Sequence, residues 1–167
     1  LADLGGEVAF REGGLTFGTE HLQRPAAVEA LAKTIEQQAH KIYLDPALSK
    51  EQRNKAIVSL LKSNQGKMVD ASYGQALKEK NPLAVQAALG FRGNKSSING
   101  MIGAGLLYSD YKGDDIPFPI TRSFSQGLSP LQFLASTFGG RTGVISTKLN
   151  TAEAGALNKQ LTQSAHQ

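Results

Sequence analysis

Residues 117–161 read PFPITRSFSQGLSPLQFLASTFGGRTGVISTKLNTAEAGALNKQL and contain the strongest structural signals of the C-terminal part of the chain. Its apolar and small residues recur close to the spacing of a helix, at Leu131, Leu134, Phe138, Ile145, Leu149, Ala152, Ala156 and Leu161. The same stretch contains glycines that each cost about 1 kcal/mol relative to alanine inside a helix, at Gly139, Gly140, Gly143 and Gly155. We therefore predict one long helix that is held by its surroundings and is able to bend.

The chain has 167 residues, of which 40% are hydrophobic. This length and composition are sufficient for the core of one domain of ordinary size. The chain opens on Leu1 and closes on a polar run at residues 162–167, so we expect a processed product or a segment of a longer protein. Cysteine is absent and the histidines (His21, His40 and His166) are scattered, which argues against metal binding by this chain alone. No apolar run approaches the roughly 20 residues of a membrane span, and no signal peptide is visible. We expect a cytoplasmic protein that makes no membrane contact.

The net charge of +4 and the isoelectric point of about 9.4 are compatible with a nucleotide or nucleic-acid partner. The basic residues of the C-terminal half lie near glycines or on the long helix, at Arg92, Lys95, Arg122, Arg141, Lys148 and Lys159. Two interpretations stay open for them. They form either a solvated basic face or contacts to phosphate groups, which nearby glycines would let approach the backbone closely.

The first half of the chain predicts two short strands followed by a helical hairpin. Glu7 to Phe10 and Leu15 to Phe17 have strand-like composition and are joined by Gly13-Gly14, so residues 1–24 are expected to form short strands or an extended lead-in. Residues 25–80 predict two antiparallel helices. The first begins at Pro25, and the second begins at a capping box from Ser49 to Gln52 and continues or restarts near Lys67.

Residues 81–126 predict a loop-rich region. The sequence GFRGNKSSINGMIGAG at 90–105 is rich in glycine and small polar residues, and prolines favour an extended conformation at 116–120. Asp114-Asp115 is the only adjacent carboxylate pair and is interpreted as a turn rather than a metal site. No arrangement of nucleophile, base and acid is indicated, so we expect no catalytic residue in this chain.

The sequence resembles a known family at several motifs in the same order. Residues 139–161, GGRTGVISTKLNTAEAGALNKQL, resemble the pattern G-(A/G)-R-x-G-L-x-D-T-A-x-K-T-A-x-(S/T)-G-Y-(L/I)-x-R-R-L without a gap. Residues 124–133, FSQGLSPLQF, are similar to F-x-x-G-L-x-P-x-E-(F/Y), and residues 90–94, GFRGN, to S-G-(A/S)-(R/K)-G-S. These are motifs of the largest, β′-type, subunit of multisubunit DNA-directed RNA polymerases, and the C-terminal stretch resembles its bridge helix.

The resemblance implies a mainly α-helical chain with short β segments that is not an autonomous fold. Residues 127–167 would form the bridge-like helix, and residues 81–126 the segment beside it. The resemblance places template- or nucleotide-facing positions at Thr147, Thr151, Ala152 and Gly155. It implies a nucleotide path or phosphate contact at Arg92 and Lys159, and an anchor or hinge at Arg141 and Gly143. The partners implied are other polymerase subunits or the remaining pieces of the largest subunit, template DNA and nascent RNA.

The departures from the family pattern limit what the chain does alone. Ser146 stands where the family has aspartate, Ala156 where it has tyrosine, and Gln160 where it has arginine. Nothing resembles the N-A-D-F-D-G-D loop, so the magnesium ion is expected only in the assembled polymerase. Such divergence suits a phage polymerase with a split largest subunit, located in the host cytoplasm or the virion. The alternative is a structural or virion-associated protein that retains a polymerase-like segment without catalysis.

A long helix with several glycines should be unstable without partner chains to cover it. We therefore expect the isolated chain to show little cooperative unfolding, measured by circular dichroism during a thermal scan. A sharp, reversible transition with native helix content would contradict this expectation.

Overall fold

The computed structural model describes residues 1–12 and 16–165, and these residues are mainly helical. The helices are α1 (Ala2–Glu12), α2 (Ala26–Leu44), α3 (Lys50–Lys78), α4 (Pro82–Ala88), α5 (Lys95–Ile102), α6 (Pro130–Ile145) and α7 (Thr151–Ala165). A 3₁₀ turn at Thr19–Leu22 precedes α2, and a π-helical turn at Ser146–Asn150 joins α6 to α7. The residues 130–165 are thus one continuous helix of 36 residues, here called the long helix, as the spacing predicts.

The strand expected at Glu7 to Phe10 is wrong, because these residues lie in α1. Asp3 in the first turn and Arg11 in the last turn complement the helix dipole, and Arg11 pairs with Glu7 one turn before it. These local interactions favour a helix over an extended chain. The expected turn at Gly13-Gly14 and the start of the second strand at Leu15 lie outside the described residues, and Phe17 is in no regular element.

In the region expected to form a helical hairpin, α2 and α3 pack against each other. Pro25 precedes α2, and the Ser49 hydroxyl accepts the amide of Gln52 while the Gln52 side chain accepts the amide of Ser49. α3 continues past Lys67 without restarting. The two helices and a later segment share one buried cluster, which contains Val28, Ala32, Ile35, Ile57, Leu61, Met68, Ala104 and Leu106. Burial of these apolar side chains, rather than intrinsic helix propensity, holds the hairpin together.

The region expected to be rich in loops contains two short helices. Asn81 caps α4 by accepting the amide of Leu83, and Asn94 caps α5 by accepting the amide of Ser97. Both helices pack against the end of α3 in a second buried cluster, which contains Ala76, Ala84, Ile98 and Ile102. α5 forms despite its polar and glycine-containing sequence because its cap and its two buried isoleucines outweigh the low propensity.

The expected short β segments are also wrong for the described part of the chain, which contains only two isolated bridges, Leu106 with Ile120 and Ser109 with Asp115. Leu106 and Ile120 exchange both backbone hydrogen bonds, at 2.9 and 3.0 Å. Pro117 and Pro119 have no amide hydrogen to donate, so the extended segment that the prolines favour does not build a ladder.

The C-terminal end of α3 contains a residue that is a target for stabilisation. Lys80 is exposed and has φ of 53°, while its amide donates to Leu77 and the amide of Asn81 donates to Ala76, the arrangement of a Schellman motif. Glycine adopts this conformation without the steric cost that a side chain brings. We expect Lys80→Gly to stabilise the end of α3 by about 1 kcal/mol, seen as about fivefold greater amide hydrogen-exchange protection of its last turns.

The matched control is Lys55→Gly, which removes the same charge from an exposed position inside α3. We expect this control to destabilise the helix by about 1 kcal/mol. Reduced protection in Lys80→Gly would show that the side chain at this position contributes more than its backbone conformation costs.

Candidate functional site on the long helix

The long helix begins at a capping box and is anchored only through its first turns. Ser129 accepts the amide of Gln132, and Pro130 occupies the first turn, where it needs no amide partner. Gln132 and Ala135 are buried, whereas residues 139–165 are exposed along their whole length. Beyond the contact of Tyr108 with Gly139, the exposed residues 140–165 receive little tertiary packing from the described part of the chain, and a helix of this length is marginal in water without it.

The segment before the long helix is tied to α5. The amide of Phe124 donates to the Gly100 carbonyl at 3.0 Å, and the amide of Ser125 donates to the Met101 carbonyl at 3.2 Å. The ring of Tyr108 also lies close to Gly139 at the start of the exposed part of the helix. A Cβ atom built on this glycine would be only 3.3 Å from the ring. These contacts set the direction in which the exposed part of the helix leaves the body of the chain.

The glycines of the long helix fall into two groups. Gly139 allows the close approach of Tyr108, so packing explains it. A Cβ atom added at Gly140, Gly143 or Gly155 would meet nothing within 4 Å in the chain as described. Packing within the described chain therefore does not explain why glycine occupies positions 143 and 155. Their roles as hinges stay predictions.

A π-helical turn at Ser146–Asn150 interrupts the regular winding close to the expected bend. Turns of this type are rare and occur frequently at functional sites. One additional residue in a turn rotates all later side chains by about 100° relative to a continuous α-helix. The apolar positions after this turn are therefore rotated relative to those before residue 146.

Four of the site residues expected from the resemblance form a row. Thr147, Thr151, Gly155 and Lys159 follow one another at intervals of four, so each lies about one turn beyond the last, and all are exposed. The Thr147 hydroxyl donates to the Gly143 carbonyl at 2.8 Å, and the Thr151 hydroxyl donates to the Thr147 carbonyl at 2.6 Å. Both hydroxyl protons are thus used inside the helix. A ligand on the first three residues of this row would meet small groups rather than free donors, while Lys159 adds a charged donor at the end of the row.

The remaining expected residues are less closely grouped. Ala152 is exposed beside Thr151, and Arg141 is exposed two residues before Gly143. Arg92 lies in the loop between α4 and α5, where it lines a cleft of about 310 Å³ together with Phe17, Gly93 and Ser97. The residues that line this cleft include none of the long helix. The structure therefore does not bring Arg92 and the row on the helix into one site.

Sequence reasoning missed Tyr108 and Asn99, the residues that shape the base of the long helix and its support. Tyr108 is half-buried, and burial raises the pKa of its hydroxyl. Asn99 is buried and links α3, α5 and the segment after α5. Neither residue belongs to a motif, so only its position in space identifies it.

Magnesium, which the resemblance implies for the assembled enzyme, finds no ligand set in this chain as far as it is described. Across residues 1–12 and 16–165, no three His, Cys, Asp or Glu side chains lie together in a way that could hold a metal ion.

None of the helices in these residues is long and apolar enough to cross a membrane.

An exposed helix that starts from a small packed body is typical of a protein that functions inside a larger assembly. The chain is homologous to a segment of subunit β′ of bacterial DNA-directed RNA polymerase. It is 33% identical over 152 residues to "DNA-directed RNA polymerase subunit beta'" of Chloroflexus aggregans, a match that covers 89% of the chain and 10% of that protein. The protein of the same name from Rhodococcus erythropolis is 32% identical over 167 residues, covering 96% of the chain and 12% of that protein.

The corresponding subunit of Caldicellulosiruptor saccharolyticus is 30% identical over 161 residues, which is 93% of the chain and 14% of that protein. The chain thus spans between a tenth and a seventh of the length of these relatives. No protein-family model matches the chain. The homology to a β′ segment confirms the coarse expectation of the resemblance, and the finer roles of individual residues remain to be tested.

Proposed function

We propose that this chain is a non-autonomous part of a DNA-directed RNA polymerase largest subunit and acts in transcription. It contributes the bridge helix and adjacent helices that contact template DNA and the incoming nucleotide. The observation that supports this most directly is the long helix, which carries the motif-matched row of small residues and is left bare by the rest of the described chain.

The proposed contacts follow from the chemistry of that row. Thr147 and Thr151 have hydroxyl protons that are already bonded to the helix backbone, and Gly155 in the row and Ala152 beside it add no polar side-chain group. A base pair packed on them would make van der Waals contacts that every sequence can make, as a template-reading enzyme requires. Lys159 at the end of the row supplies a positive charge for a phosphate group.

Movement of the helix is the second part of the proposal. Arg141 anchors its first half, while Gly143 and the π-helical turn at Ser146–Asn150 form the region where it bends. Gly155 is a second bending point. The catalytic magnesium ion and its carboxylate ligands come from other parts of the polymerase, so the chain supplies positioning rather than an acid, a base or a nucleophile.

The partners are other polymerase subunits or the remaining pieces of the largest subunit, together with template DNA and nascent RNA. We propose a phage-type polymerase with a split largest subunit, working in the host cytoplasm or carried in the virion. The departures at Ser146, Ala156 and Gln160 keep a second candidate open, a structural or virion-associated protein that retains the segment without catalysis.

Affinity purification of the tagged full chain from its native source, followed by mass spectrometry and a nucleotide-incorporation assay, tests the proposal. We expect large chains with a magnesium-binding aspartate loop to copurify together with template-dependent RNA synthesis. Copurification with capsid or tail proteins only, without RNA synthesis, would reject the polymerase role in favour of the structural one.

Arg92→Ala tests the nucleotide path. If Arg92 contacts the phosphates of an incoming nucleotide, its loss should raise the nucleotide concentration for half-maximal rate about tenfold, with little change in the maximal rate. The measurement is steady-state elongation by the assembled polymerase. Arg11→Ala is the control, because it removes the same charge from exposed helix α1 and should leave both parameters unchanged. An unaltered nucleotide dependence in Arg92→Ala would remove this residue from the site.

A further inference from the structure

Arg24 is a buried arginine at the start of α2, and only one of its three nitrogens is bonded. Its side chain is 5% exposed. Nη1 donates to Oε1 of Gln126 at 2.8 Å and lies 3.0 Å from Oε2 of Glu29. These contacts connect the beginning of the hairpin with the loop that leads into the long helix.

The other edge of the guanidinium group is unpaired. Nε and Nη2 are buried, and neither has a hydrogen-bond acceptor within the described ranges 1–12 and 16–165. A buried donor that lacks a partner costs about 1–3 kcal/mol, and more when it is charged. Native proteins rarely leave such groups unsatisfied, so a buried charged edge of this kind calls for an acceptor that the chain itself does not provide.

The geometry of this edge specifies the chemistry of the acceptor. The Nε and Nη2 hydrogens lie side by side in one plane and match two oxygens of a single oxyanion, as in bidentate arginine–phosphate and arginine–carboxylate pairs. Arg24 also lines a cleft of about 410 Å³, together with Thr19, Leu22, Gln23, Ser125 and Gln126. The Gln126 amide already donates to Glu29, but Thr19, Gln23 and the Ser125 hydroxyl, which lies 2.9 Å from the Ser123 hydroxyl, are further donor groups in this lining and suit an anion with more than two oxygens.

The local charge balance also favours an anion. Glu29 is shared between Arg24 and Lys33, whose Nζ lies 3.6 Å from Oε1 of Glu29. Two cations therefore share one carboxylate. Burial lowers the pKa of Arg24 and the neighbouring Glu29 opposes this effect, while the hydrogen bond from Gln126 lowers the pKa of Glu29. An anion on the free edge would add a second favourable charge interaction for the buried guanidinium group.

We propose that Arg24 is the anchor of a phosphate-binding site in this cleft, with Thr19, Gln23 and Ser125 completing the ring of donors. The site is separate from the long helix, and it does not depend on the polymerase role. Both nitrogens lie below the surface, so the phosphate group reaches them when a side chain of the cleft wall moves aside. Binding would strengthen the junction between α2 and the loop before the long helix.

Inorganic phosphate titrated into the ¹⁵N-labelled full chain tests this site by nuclear magnetic resonance. We expect saturable shifts confined to residues 19–24 and 125–126, with a dissociation constant in the millimolar range or below. Arg24→Gln should abolish the shifts, and Arg24→Lys, which keeps the charge but loses the paired donors, should weaken binding about tenfold or more. Acetate, which has only two oxygens, should bind more weakly than phosphate.

Arg122→Gln is the matched control, since Arg122 is an exposed arginine that donates to the Gln126 carbonyl and its loss removes the same charge nearby. Its phosphate affinity should stay within about twofold of wild type, because an exposed charge contributes little. If Arg24→Gln does not fold, the phosphate affinities of the wild type and of Arg24→Lys are compared instead, and they decide whether the paired donors of Arg24 bind the anion. The absence of saturable shifts in the folded wild-type chain, equal weakening by Arg122→Gln and Arg24→Lys, or equal affinity for acetate and phosphate would overturn the proposal.

Discussion

Substitution of Ala152 by tryptophan should lower elongation by the assembled polymerase more than about 100-fold, because a misplacement of about 1 Å at a reacting centre already costs this much. Ala152 lies beside Thr151 on the face that we propose to meet the template base. An indole ring there would occupy the space of the base pair. Because Ala152 is exposed and touches no other element of the described chain, the substitution should leave the fold and the assembly of the complex intact.

Ala154→Trp is the control for this prediction. Ala154 is equally exposed and lies two residues further along α7, about 200° around the helix from Ala152. The elongation rate per assembled complex, measured on a defined template with copurification of the subunits verified, should fall for Ala152→Trp much more than for Ala154→Trp. Normal elongation by Ala152→Trp would exclude this residue from the template face. An equal loss in both variants would indicate a general effect on the helix rather than a specific contact.

Asn99→Ala should destabilise the body of the chain by about 2–4 kcal/mol, because it removes the side-chain partner of the buried Ala104 carbonyl and amide, while the Ser72 hydroxyl keeps the Val69 carbonyl as an acceptor. The Asn99 amide donates to the Ala104 carbonyl at 2.7 Å, and its oxygen accepts the Ser72 hydroxyl at 3.1 Å. Both Ser72 and Ala104 are fully buried, so water does not replace the lost bonds. Gly103 fits the same network closely, since a Cβ atom there would lie 2.1 Å from Oδ1 of Asn99.

The expected loss corresponds to about 30-fold to 1000-fold less amide hydrogen-exchange protection at Met68 and Ile102, which belong to the two clusters on either side of the network. Asn64→Ala provides the comparison. Asn64 also bonds a backbone carbonyl, that of Leu60 at 2.9 Å, but it is only half-buried on α3. We expect this control to change the free energy of unfolding that the exchange protection reports by about 0.5 kcal/mol or less. Similar exchange in both variants would mean that the buried network contributes little to stability.

The elements that sequence reasoning found correctly are those whose signals are local. Ser49 stands three residues before a glutamine and forms the expected capping box, and Ser129, for which no cap was predicted, forms one with the same spacing. Pro25 immediately precedes α2, close to the predicted start of this helix, and its fixed φ angle suits that position. The homologous motifs in the C-terminal part also identify the long helix, which explains why this helix and the class of its relatives could be predicted together.

The elements that were missed depend on contacts between distant parts of the chain. α5 has a sequence of low helix propensity and is held by the burial of Ile98 and Ile102 against the end of α3. The π-helical turn at Ser146–Asn150 leaves no recognisable mark on the hydrophobic spacing. The unpaired edge of Arg24 is visible only because the structure shows Glu29 and Gln126 both binding the opposite edge.

Caps, prolines, helical periodicity and the family motifs were enough to predict a mainly helical chain, the starts of α2 and α3, and the likeness to a polymerase β′ segment. The three-dimensional structure was needed to show which helices pack together, that Gly139 admits Tyr108, and which part of the long helix is exposed. Caps, prolines and helical periodicity act over a few residues and can therefore be recognised from the sequence. Burial, buried hydrogen-bond networks and close approach join residues that are far apart in the chain, and their effects depend on where those residues meet.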